Sequence, residues 1–217
     1  MMKKLTSISA AALLAVCSGS AFAQADAQVA SVTPAPIKVE PAPKVKLAPG
    51  GAKLMVWQGL EPKGLQVGTL IDNSETFSYT GINKDQNLTG ALGQKDRYQL
   101  WEGYIEVKKD SMLKFNVTRA VQLVNTLPGA SLSINGKSLI TMKTEPSYAQ
   151  NGIAPTTAQS VLVSLSEGYN KISFAFAISG NSDSYQTINL TYGLPGSANV
   201  RMITPKSMFY EVDEEDF

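Results

Sequence analysis

Four polar side chains, Tyr148, Asn151, Asp183 and Tyr185, stand in the two stretches of this chain with the weakest periodicity, 143–159 and 180–185. Tyrosine stacks and hydrogen-bonds, and asparagine offers donor and acceptor together, so the set suits recognition of a polar ligand or a protein surface. Pro146, Gly152 and Pro155 punctuate the first stretch. Long ordered loops in compact domains are often functional, and plain surface connection is the competing reading. A carboxylate pair is the other chemistry to weigh. Glu102 and Glu106 fall on one face of an alternating segment. Four residues of strand put their backbones about 13 Å apart, beyond the roughly 5–9.5 Å of a glycosidase pair. They read as outward, solvated carboxylates flanking Tyr104.

Catalysis by the commoner routes has no parts to use. The 217 residues include no histidine and a single cysteine, Cys17. Neither a Ser-His-Asp nor a Cys-His arrangement can be assembled. No glycine-rich phosphate loop is present. Serine and lysine are plentiful, so spacing alone leaves a Ser-Lys pair open. The expectation is a non-catalytic protein with no metal and no cofactor. Hydrophobic residues at 43% suffice for a real core, which excludes bulk disorder. A formal net charge of +1 supplies no long-range field toward nucleic acid or an anionic membrane surface.

The elements that must position any site begin after a targeting segment. Residues 1–23 read as a secretory signal peptide: Lys3 and Lys4, an apolar run from Leu5 to Val16, then Ala21-Phe22-Ala23 before the cut between Ala23 and Gln24. The run is shorter than the roughly 20 residues of a membrane span, and no later segment qualifies. Leu14-Ala15-Val16-Cys17 is an alternative lipidation site, with Val16 where Gly, Ala or Ser is usual. A cut after Ala23 removes the only cysteine, so the mature chain folds in an oxidising compartment without redox risk. The expected location is a bacterial periplasm or cell surface.

Residues 24–51 carry Pro34, Pro36, Pro41, Pro43 and Pro49 and no aromatic residue. Alternating proline favours polyproline II, and a linker of this length reaches about 80 Å. A solvated spacer is expected. The apolar-basic alternations Ile37-Lys38-Val39 and Val45-Lys46-Leu47 offer edge strands as the alternative.

Residues 52–212 read with period two. Leu113, Phe115 and Val117 alternate with polar residues, as do Ile172, Phe174, Phe176 and Ile178 with smaller ones, and Ile188, Leu190 and Tyr192 with Asn189 and Thr191. Turns are marked at Lys109-Asp110, Pro128-Gly129, Asn135-Gly136, Glu167-Gly168 and Pro195-Gly196. Asn135-Gly136 between two apolar runs predicts a hairpin. Trp57 and Trp101, in strands among apolar neighbours, are expected in the core. The fold class is all-β, an antiparallel β-sandwich or barrel, and the acidic residues 213–217 form a solvated tail.

The order of these motifs resembles the protective-antigen-type β-sandwich, a module of toxins, glycosidases and microbial adhesins. Trp101-Glu102-Gly103-Tyr104-Ile105-Glu106-Val107 is similar to its aromatic-x-Gly-x-hydrophobic strand, and Ser111 to Phe115 to the next. Ala130-Ser131-Leu132-Ser133-Ile134-Asn135-Gly136-Lys137 is similar to its Leu-x-Ile-Asp/Asn-Gly-Lys hairpin. Val161–Leu165 with Glu167–Ile172, and Ile188–Leu190 with Ile203–Pro205 and Phe209-Tyr210, are similar to its later strands, so the likeness covers about 52–210. The calcium-dependent lectins of that family carry two adjacent aspartates just before the hairpin, where this chain has Pro128-Gly129. No metal ligand carries over. The resemblance implies an exported binding or adhesion module of the cell envelope, its ligand a glycan or a surface protein. The missing aspartates and the long spacer fit the alternative, an accessory subunit of a surface assembly such as a pilus or secretion apparatus.

Overall fold

The protein's structure, a computed structural model, describes residues 35–77, 96–121, 126–146, 156–178 and 186–212. Among the described residues fifteen strands run in chain order: β1 (Ile37–Lys38), β2 (Leu47–Pro49), β3 (Ala52–Gln58), β4 (Gln66–Asp72), β5 (Arg97–Val107), β6 (Ser111–Val121), β7 (Thr126–Leu127), β8 (Gly129–Ile134), β9 (Lys137–Met142), β10 (Glu145–Pro146), β11 (Thr156–Leu165), β12 (Gly168–Ile178), β13 (Gln186–Gly193), β14 (Val200–Ile203) and β15 (Phe209–Glu211). The only helical element among the described residues is a 3-10 turn at Pro205–Ser207.

They form an antiparallel β-sandwich. One sheet has the order β1-β11-β6-β13-β14. In the other, β5 and β12 are central, β8 and β9 follow β12, and β3 and β15 share the far side of β5. A two-stranded piece pairs β7 with β10. The alternation read from the sequence is what makes the two layers adhere. Leu113, Phe115 and Val117 from β6, with Leu190 from β13, meet Trp101 from β5, Ile172 and Phe174 from β12, and Leu132 and Ile134 from β8, all buried in one cluster. Each such side chain contributes roughly 1.5–3 kcal/mol by leaving water.

The local chemistry agrees with the pattern. Asn135 (φ 48°) and Gly136 (φ 78°) form the tight turn between β8 and β9. That pair of left-handed conformations favours Asn-Gly. Gly103 is required by a close approach: a Cβ there would meet the Phe209 carbonyl oxygen at 2.9 Å and Met208 Cε at 2.8 Å. The glycine of the aromatic-x-Gly strand thus lets the C-terminal segment lie against β5.

Three expectations are corrected. The spacer read over 24–51 does not hold for its second half. β1 pairs in parallel with β11 at the edge of one sheet, and β2 pairs with β15 in the other. Between them Val39 enters the core at 3% exposure. Asn135 Nδ2 donates to the Glu40 carbonyl at 2.6 Å, and Val212 N to that of Lys46 at 3.2 Å. Pro36, Pro41 and Pro43 lie outside the two strands and Pro49 ends one, so none removes a central ladder donor. Residues 35–50 are a strap joining both sheets. Second, Trp57 lies half-buried on the outer face, opposite in phase to Leu54 and Val56, edge-on to Tyr98 at 5.8 Å. Third, β11 begins at Thr156, inside the stretch read as a loop. Its first five residues, Thr156 to Ser160, are largely exposed, so no apolar alternation marks them. The leader with its Ala23–Gln24 cut and the tail 213–217 lie outside the described residues.

Candidate functional site

Short side chains make a trough on the outer face of the larger sheet. β12 turns Ala175 and Ala177 outward between Leu100 and Tyr98 of β5 and Ser131 and Gly129 of β8. Next along is Thr141 of β9, opposite Ser131. A row of Ala, Gly and Ser between longer neighbours leaves a cavity of about 360 Å³. Tyr98 walls it on one side and Ser131 and Thr141 on the other, while Leu60, Glu61, Lys143 and Thr144 rim it. The Tyr98 phenol and the Ser131 hydroxyl face the same cavity. The lining therefore combines one aromatic face, several hydroxyls and one charge of each sign. That is equipment for holding a neutral polar ring, by stacking and by hydroxyl exchange.

The same end of the core is polar. At the start of β5 the inward positions hold Arg97 and Gln99 before Trp101, and the end of β6 turns Arg119 inward after Val117. Arg119 bonds to the Pro128 and Lys143 carbonyls, to Thr157 and to Glu145. Further along the outer face, Lys171 lies 3.3 Å from Glu102 and 3.8 Å from Glu211. The Tyr104 hydroxyl donates to Glu211, and Ser173 donates to Glu102 at 3.1 Å. Glu102 is thus tied to Lys171, whereas Glu106 is exposed and paired with Lys108.

Two phenols in this region are held protonated above the ordinary tyrosine range. Burial raises Tyr98, with the Ser131 hydrogen bond opposing. Burial raises Tyr104 further, then its hydrogen bond to Glu211 and the negative charges of Glu211 and Glu102. A group whose acid form is favoured by folding contributes stability that is whole below its unfolded pKa, about 10, and is lost as pH rises past it. We predict that stability falls above about pH 10. In spectrophotometric titration of the folded protein, the signal lost on Tyr98→Phe or Tyr104→Phe substitution belongs to phenols that ionise above the ordinary tyrosine range. Ionisation of Tyr98 and Tyr104 within the ordinary range while the fold persists contradicts this.

Tyr148, Asn151, Asp183 and Tyr185 lie outside the described residues. The strands that follow the two stretches are described. Thr156 is opposite Ala120 and Gln186 opposite Val121, so β11 and β13 begin beside the end of β6 that carries Arg119. Sequence reasoning did not find the trough. Tyr98 and Ser131 stand on different strands, and a cavity made by small residues leaves no motif. Arg119 was within reach, since it is in phase with Leu113, Phe115 and Val117.

Among the described residues no helix is long and apolar enough to cross a membrane. No family model matches the chain, and no curated protein matches it. Among solved structures, it is similar to an anti-sigma factor domain-containing protein at 17% identity and a TM-score of 0.53, over 80% of this chain. It spans about half of that chain, 51%. It is also similar to the epithelial adhesin 6 A domain of Candida glabrata, solved in complex with Galβ1-3GlcNAc, at 10% identity and a TM-score of 0.51, over 84% of this chain and 96% of the other. A third is a PA14 sugar-binding domain from an RTX adhesin, at 12% identity and a TM-score of 0.47, over 75% and 99%. At these identities the likeness is one of fold: this chain is built as a β-sandwich like that of the adhesin domain.

Proposed function

We propose that this chain is an exported, non-catalytic binding module of the bacterial cell envelope, built on a protective-antigen-type sandwich, whose ligand is a neutral saccharide held in the trough beside Tyr98. The observation that carries the reading is the lining of that cavity: an aromatic wall, a floor of Ala175 and Ala177, and the hydroxyls of Ser131 and Thr141. A sugar ring has one apolar face and a periphery of hydroxyls, and such a lining meets both. The fold shared with an adhesin domain solved with a disaccharide supports it. Export rests on the leader read at 1–23.

The test is an array of neutral mono- and disaccharides probed with the mature chain, from Gln24 onward. Retention of at least one saccharide, competed by the same sugar in solution, is the expected result. If none is retained and crosslinking in the native envelope instead recovers a stoichiometric protein partner, the chain is an accessory subunit of a surface assembly and the saccharide reading falls.

A further inference from the structure

Arg119 is 2% exposed and stands at an inward position of β6, yet the groups it binds belong to the other side of the sandwich as well as its own. Nε donates to Thr157 Oγ1 at 2.8 Å on the neighbouring strand β11. Nη1 donates to the main-chain carbonyls of Pro128, at 2.6 Å, and Lys143. Nη2 pairs with the Glu145 carboxylate at 3.0 Å.

The two carbonyls mark a break in a ladder. The β8–β9 hairpin pairs as far as Ala130 and Met142, and pairing resumes at Leu127 and Glu145 as β7 and β10. Pro128 and Gly129 face Lys143 and Thr144 across the gap. Pro128 has no N–H to offer, and Gly129 is pressed close enough that a Cβ would meet Thr144 Oγ1 at 3.0 Å. Two carbonyls left at such a bend need donors. The guanidinium supplies them in one planar fork, with the carboxylate balancing its charge. Lys143, one of the residues so held, lines the trough on its other side, together with Gly129 and Thr144, the chain neighbours of the two held carbonyls.

We infer that Arg119 is the positioning residue of this rim: a cation built into the chain that gathers two carbonyls and a carboxylate, so that the rim is ordered with no divalent ion. Pro128-Gly129 stands where the resemblance implies paired aspartates, and the buried positive charge accounts for their being dispensable. The consequence for ligand affinity rests on the saccharide reading; the consequence for rim order does not.

The experiment is hydrogen exchange on the full mature chain, free of ligand, with Arg119→Lys and Thr157→Val beside the parent. Lysine keeps the charge but not the planar fork. In Arg119→Lys the amides of Leu127, Gly129 and Lys143 to Glu145 should exchange about tenfold faster, while core amides such as Trp101 and Phe174 hold their protection. Thr157→Val should move the same rim amides by less. In the parent, EDTA should leave rim exchange unchanged. Rim and core amides quickening together would reduce Arg119 to a general stabiliser and overturn the inference. So would an unchanged rim in Arg119→Lys, or rim protection lost to EDTA. Should Arg119→Lys fail to fold, the Thr157→Val comparison decides by the same criterion. A parent that binds no sugar yet shows the rim effect refutes the saccharide reading alone.

Discussion

Trp101→Ala should lower the unfolding free energy by about 3–5 kcal/mol, the cost of removing a large buried aromatic. Trp101 is fully buried where β5 crosses the middle of the larger sheet. Its ring stacks on Phe176 at 4.9 Å and meets Phe77 edge-on at 5.4 Å. Its indole N–H donates to Asp72 Oδ2 at 2.7 Å, and the other oxygen of that carboxylate accepts from Ser74 N at 2.9 Å. Truncation therefore opens a cavity and also leaves a buried carboxylate short of a donor. Against a total of roughly 5–15 kcal/mol, the variant is marginal or unfolded at 37 °C. Trp101→Phe keeps most of the volume and loses the donor, so it should fall between the two. Urea denaturation followed by circular dichroism measures all three. A midpoint for Trp101→Ala within error of the parent would contradict the core assignment.

Val39→Asp carries the second large effect, from a segment whose composition argues against any. Were residues 35–50 a free spacer, an aspartate at 39 would cost nothing. In the folded strap Val39 is buried against the sandwich, between the strand paired with β11 and the strand paired with β15. The core cluster that Val39 joins is made of apolar side chains, which give a carboxylate no partner. The expected loss is more than about 3 kcal/mol, in the class of an unpaired buried charge. Val45→Asp, at a residue 40% exposed, is the control and should stay within about 0.5 kcal/mol of the parent. Equal stabilities for the two variants would return the whole of 35–50 to a linker.

The fold was legible because period two is a local property. Each strand that buries one face shows it in five or six residues, and Asn135-Gly136 marks its turn by a conformational demand few other residues meet. The strap was not legible for the converse reason. Five prolines in 24–51 signal polyproline II, and only the folded partner shows that Pro36, Pro41 and Pro43 fall outside the paired positions and that Pro49 ends its strand. Thr156 to Ser160 hid because it is exposed. The hydroxyls and aromatic wall of the trough hid because Tyr98, Ser131, Thr141 and Ala175 come from four strands, brought side by side by the order β5-β12-β8-β9. Local spacing cannot report neighbours created by topology. Arg119 hid in plain phase. An arginine at an inward position signals a buried charge needing several acceptors, and those acceptors, two carbonyls at a ladder break, carry no sequence mark.

On the proposed reading the trough beside Tyr98 holds a saccharide. The measurement that bears on it most directly is titration of the mature chain with whichever neutral sugar the array retains, comparing the parent with Tyr98→Ala and following backbone amide shifts. Tyr98 lies half-buried on the outer face, so its removal spares the core. The account predicts shifts gathered on Tyr98, Ser131, Thr141 and Ala175, and an affinity lowered roughly tenfold in Tyr98→Ala. Shifts gathered elsewhere, with an affinity indifferent to Tyr98, would contradict it.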